Sequence, residues 1–170
     1  MATGAAANNL DLYQVNCTFF DALGYREDEY LIARAIQFFV PGIPQVYYVG
    51  LFAGTNDMEL LARSRVGRDI NRHYYTPVEI QTSLAKPVVR RLTDLMRLRN
   101  SHPAFSGNAE VEASNAQRLS ISWKNAEHWA KLGVDLEEMH AVVTYSNPHA
   151  MHEIGRWDSH AGAVVWEVMR

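Results

Sequence analysis

Apolar positions Leu31, Ile32, Ala35, Ile36 and Phe39 recur at intervals of three and four, which predicts a helix over 26–39. Glu27, Asp28 and Glu29 fall in its first turn, where the helix dipole favours negative charge, and Pro41-Gly42 ends it. The run Pro44 to Gly50 (PQVYYVG) is apolar without alternation and rich in β-branched and aromatic residues. It reads as a strand buried on both faces of a parallel sheet. Residues 51–75 show no sustained period and read as a long loop. That loop follows the C-terminal end of the strand, where α/β folds place their sites. Thr76-Pro77-Val78-Glu79 is a capping box with proline at the first helical position, predicting a short helix to about Leu84. Pro87 opens a longer helix to about Asn100, with Val88, Leu92, Leu95 and Met96 as its apolar stripe. Beyond Pro103 the pattern shifts to a period of two: Leu119, Ile121 and Trp123 alternate with Ser120, Ser122 and Lys124. Residues 141–145 and 163–168 are further strand candidates, Gly155 and 158–162 read as turns, and 125–139 reads as loop with some helix.

Composition narrows the class. The chain has 170 residues, 48% hydrophobic and 21% charged, which fits one globular domain or one with a small appendage. No apolar stretch approaches the length of a membrane span, and Met1 to Asn9 lacks the basic and apolar regions of a secretory leader. One cysteine, Cys17, excludes an internal disulfide framework, so a cytoplasmic location is expected. The formal charge of −3 does not suggest nucleic acid. Charge is uneven, however: residues 59–100 carry nine basic against four acidic side chains. That block is either an anion-binding surface or the solvated face of an arginine-rich helix.

One buried parallel strand with flanking helices cannot cover both of its faces or pair both of its edges. A (β/α)8 barrel needs about 250 residues, and far fewer precede the β region here. Four stretches bear on this: AANNLDLYQVNCTFFDALG (6–24), PGIPQVYYVG (41–50), GTNDMELL (54–61) and GRDINRHYY (67–75). Together they resemble the sucrose phosphorylases of the α-amylase superfamily. The G-I-P-x-x-Y-Y run is common across the superfamily; the pairing of N-L-D-x-Y-Q-V-N with G-R-D-I-N-R-H-Y-Y is far narrower and is shared with sucrose 6-phosphate phosphorylases.

The resemblance implies an α/β fold class: the C-terminal portion of a (β/α)8 TIM barrel, about strand 8 with helices 7 and 8, over 1–103. A small antiparallel β domain over 104–170 would follow. It implies part of a retaining glucosyltransferase that phosphorolyses sucrose to α-glucose 1-phosphate and fructose through a covalent glucosyl-enzyme. None of the family's nucleophile, acid/base and transition-state-stabilising carboxylates maps onto this chain, so no catalytic residue is assigned and the chain alone is expected to be inactive. The alternatives are a sucrose 6-phosphate phosphorylase fragment and a non-catalytic carbohydrate-binding remnant, with Trp123, Trp129, Trp157 and Trp166 as stacking candidates against a core role.

Site residues follow the same way. Asp11, Leu12, Tyr13 and Gln14 match the family's mobile substrate loop, although on the residues alone Asp11 reads as a helix cap. A loop that turns Asp11 away and presents Tyr13 would remove a carboxylate from an incoming phosphate. Arg68 matches the arginine that reaches the donor-glucose pocket; its five donors suit sugar hydroxyls, against the plainer reading of a surface pair with Asp69. Arg72 and His73 read as loop-structuring, and Tyr47 and Tyr48 as barrel packing. The expected ligands are sucrose, inorganic phosphate and glucose 1-phosphate, with no cofactor, no metal, no nucleic acid and no membrane; a homodimer is compatible. His149-x-x-His152 lacks a third ligand. Asn16-Cys17-Thr18 is a formal glycosylation sequon, given no weight without a leader.

Overall fold

The computed structural model describes residues 16–112, 114–161 and 165–168. They form two compact units, one of residues 16–30 and 45–89, the other of 31–44 with 90–161 and 165–168.

The first unit is helical. α1 (Phe19–Ala22) starts at Thr18, whose hydroxyl accepts from Asp21 N–H. α2 (Glu27–Phe39) begins here with its three acidic residues in the first turn, as its charge pattern predicts. α3 (Tyr48–Leu51), α4 (Met58–Ser64) and α5 (Pro77–Ala85) follow, and α6 (Pro87–Ser101) opens here on buried Val88 and Val89. The capping box at Thr76 and Glu79 is formed.

Two expectations fail in this region. The predicted strand 44–50 is absent: residues 43–47 form no regular element, with Tyr47 extended, and α3 starts at Tyr48. A strand exists only by its ladder, and among the described residues none lies alongside. Ile43 is 92% and Tyr47 52% exposed, so neither this segment nor Tyr47 is core. The predicted loop 51–75 contains α4 and a 3-10 turn, Gly67–Asn71. Both are too short to display a hydrophobic period.

The second unit is a sheet with helical cover. Six strands run antiparallel in sequence order: β1 (Asn108–Val111), β2 (Arg118–Asn125), β3 (His128–Asp135), β4 (His140–Asn147), β5 (Ala150–Asp158) and β6 (Val165–Val168). One face is buried: Ile121 and Trp123, then Ala130, Leu132 and Val134, then Ala141, Val143 and Tyr145, then Trp157. Cross-strand pairs Ile121–Leu132, Leu132–Val143 and Val143–Trp157 hold these residues in register. Trp123 Nε1 donates to Phe39 O at 2.7 Å, and Trp157 Nε1 to Arg91 O at 2.9 Å. Both indoles are therefore core side chains with committed polar ends, which removes them as sugar platforms. His102 is buried as well, between Ser146 O and Ala104 N–H, and burial lowers its pKa.

Here too the pattern misleads twice. Residues 125–139 are a hairpin with β3, not loop and helix: Ala130, Leu132 and Val134 alternate inward, but the small Ala130 and Gly133 blur the period. Gly155 is no turn; it lies inside β5 opposite Tyr145, whose ring covers it. No helix among the described residues is long and apolar enough to cross a membrane.

A methyl group at Gly155 would lie 2.3 Å from Tyr145 Cε2. Gly155→Ala should therefore destabilise the chain by about 1–3 kcal/mol through overpacking. Chemical denaturation measures this; an unchanged midpoint would mean that Tyr145 moves aside freely.

Candidate functional site

A polar assembly in the helical unit grows from two helix starts. Asp57 caps α4, with Oδ1 accepting from Leu60 N–H at 2.7 Å. Its own N–H donates to Ile70 O at 2.7 Å, which ties the 3-10 turn Gly67–Asn71 to the head of α4. Glu79 sits in the first turn of α5, with Oε2 taking the Thr76 N–H at 2.7 Å and hydroxyl at 2.8 Å. His73 lies between the two carboxylates, Nδ1 2.6 Å from Asp57 Oδ2 and Nε2 3.3 Å from Glu79 Oε1. An imidazolium can donate from both nitrogens at once. The hydrogen bond to Asp57 raises the His73 pKa, burial opposes, and Glu79 adds to the rise. Burial pushes Asp57 up, but Leu60 N–H, His73 and Arg63 outweigh it and hold the carboxyl low. Thr76, followed by His73, holds Glu79 low.

Tyr75 packs edge-on against His73 at 4.6 Å and against Phe52 at 4.9 Å. Beside this assembly opens a cleft of about 610 Å3, whose lining includes Asp57, His73, Tyr75, Glu79, Thr82 and Lys86. The two carboxylates and the imidazole are spent on one another and on helix ends. They position the intervening segment rather than offer a nucleophile.

That segment carries Arg68. Ile70, two residues on, is fully buried, while Arg68 is exposed and lies outside the cleft lining. Among the described residues no ion pair joins it to Asp69. Asp11, Leu12, Tyr13 and Gln14 lie outside the described residues. Tyr48 is 37% exposed, its ring 4.6 Å from that of Tyr47. Asn16 is buried, which is no place for a glycan, and Cys17 is half-buried. The pairing of Asp57 with His73 is absent from the sequence reading. The signals available were the capping box, which places Glu79, and an aspartate directly before Met58.

The pH dependence of this latch has a definite sign. A raised His pKa contributes stability that is complete below about 6.5 and is lost as pH rises through the folded-state value. The lowered carboxyl values contribute above their ordinary range and fade in acid. His73→Gln should thus cost about 1 kcal/mol near pH 6, and less at pH 9. Melting curves of both proteins across that range test it; a gap that widens with pH would contradict the assignment.

No family model matches the chain. It is 59% identical to a sucrose phosphorylase of Agrobacterium vitis over 146 residues, 86% of this chain and 30% of that protein. It is 51% identical to a glucosylglycerol phosphorylase of Marinobacter adhaerens over 136 residues, 80% of this chain and 28% of that one. Among solved structures, the sucrose 6F-phosphate phosphorylase from Thermoanaerobacter thermosaccharolyticum superposes with a TM-score of 0.78 at 41% identity, covering 92% of this chain and 29% of that one. The chain thus spans about 30% of the length of the curated relatives it matches. Over its aligned length, the chain is similar to sucrose phosphorylases, a glucosylglycerol phosphorylase and sucrose 6F-phosphate phosphorylases.

Proposed function

We propose that the chain is part of a retaining glucosyltransferase that splits sucrose with phosphate, giving α-glucose 1-phosphate and fructose. The observation that carries this is the 59% identity to a sucrose phosphorylase over 86% of the chain. Residues 1–103 would supply the last part of a (β/α)8 barrel with its substrate loops, and 104–170 a C-terminal β domain. The exposure of Ile43 and Tyr47 supports the first assignment, because an apolar segment of this kind needs neighbours to cover it.

In this reading the chain binds and orients while carboxylates elsewhere in the enzyme do the covalent chemistry. Asp11 and Gln14 hydrogen-bond sugar hydroxyls, and Leu12 and Tyr13 shape the acceptor side. When phosphate enters, the loop turns Asp11 away and presents Tyr13, so that two anions do not face each other. Arg68 donates to the donor glucose from a turn held rigid by the Asp57–Ile70 bond and by His73. The enzyme acts in the cytoplasm on small molecules, without a cofactor, and a homodimer suits it. The 41% identity to a sucrose 6F-phosphate phosphorylase favours a second reading, in which the acceptor released is fructose 6-phosphate.

The test is a chimera in which this chain replaces the aligned part of the Agrobacterium vitis enzyme. It should release glucose 1-phosphate from sucrose, while the isolated chain releases none. The ratio of kcat/KM for sucrose and sucrose 6-phosphate then separates the two readings. Arg68→Ala in the chimera should lower kcat/KM by about 10–100-fold, the equivalent of one charged hydrogen bond. A chimera that melts cooperatively yet cleaves neither sugar would sink the proposal, as would turnover by the isolated chain.

A further inference from the structure

At the corner of the sheet where β4 begins and β5 ends, three side chains able to bind metal converge. His140 opens β4, Asp158 closes β5, and His160 lies in the turn that follows. One ligand atom from each lies within 4.8 Å of the others. His140 Nε2 is 3.0 Å from Asp158 Oδ1, and the two imidazoles stack at 4.7 Å and 28°. The geometry points to a binding site for a divalent ion of the zinc class, formed by His140, Asp158 and His160, with the fourth position open to water.

Three arguments carry it. The first is distance. Bonds of about 2.0–2.1 Å to a tetrahedral ion put neighbouring ligand atoms about 3.3 Å apart. The His140–Asp158 edge already measures 3.0 Å, and a ligand atom of His160 lies within 4.8 Å of both. The second is rigidity. The Asp158 carboxylate is fixed by the N–H groups of His160 and Ala161 and by Arg156 at 3.0 Å. The strand ends are joined by Ser159 N–H to Ala141 O and Ala141 N–H to Ser159 Oγ.

The third is ring orientation. His160 Nε2 donates to Met139 O at 3.0 Å, the kind of backbone bond by which ligating histidines fix their rings. Imidazole and carboxylate together suit zinc and nickel rather than calcium or magnesium. Arg156 shares the charge of Asp158, so the site should bind in the micromolar range rather than more tightly. The ion would staple the end of β5 to the start of β4. This assignment does not depend on the proposed reaction.

The untagged chain is titrated with Zn2+ against a chromophoric chelator, and separately with Co2+, whose visible bands report a four-coordinate site. One equivalent of Zn2+ should bind and raise the melting temperature. His160→Asn, on an exposed turn, should weaken binding by about tenfold or more, with the metal-induced rise in melting temperature read against the variant's own metal-free value. His140→Gln should do the same, and if that variant melts early, His160→Asn alone decides. Binding of equal strength in both variants would place the ion on other donors, such as Cys17 or His149, and overturn the site. No binding at about 100 μM Zn2+ would overturn it too. Should the chain precipitate, the chimera described above gives the same readout.

Discussion

Asp57 divides its backbone and side chain among three neighbours. One carboxylate oxygen ends the helix α4, the other meets His73, and the amide holds the 3-10 turn through Ile70. Because a helix start leaves several N–H groups without partners, a side chain that satisfies one of them is already fixed in place. Each further bond then costs little ordering entropy. His73 takes advantage of this twice, since Glu79 is fixed by its own capping box. The whole stretch from Asp57 to Glu79 is thereby held at three points without a regular element long enough to hold itself. Gly54 belongs to the same arrangement: a side chain there would meet the Tyr75 hydroxyl and Val49.

The parts of this molecule legible in the sequence are those in which local chemistry acts alone. The acidic first turn and apolar stripe of α2, the capping box of α5 and the proline opening α6 all announce themselves within a dozen residues. Strand β2 does so through the alternation of Leu119, Ile121 and Trp123. What stayed hidden needs a partner distant in sequence. β3 owes its identity to pairing on both sides, and Gly155 to a tyrosine ten residues earlier. The run 44–50 shows the converse. Its composition suits a strand, but with no ladder alongside among the described residues it does not form one.

For the site the division is similar. Arg68 stands out in the sequence by its motif, but its turn is tied down by the Asp57 main-chain N–H to Ile70 O, and Asp57 in turn meets His73, contacts that no spacing rule connects. The two carboxylates there are engaged by His73 and by the helix starts they cap.

The sheet has a consequence of another kind. Each of its strands pairs only with the strand just before and just after it in the chain. Its pairings are therefore as local as a sheet allows, and loop closure costs little at each step. A chain leaving the ribosome can close β1 on β2, then add β3 and each later strand as it emerges, without waiting for any distant segment to arrive.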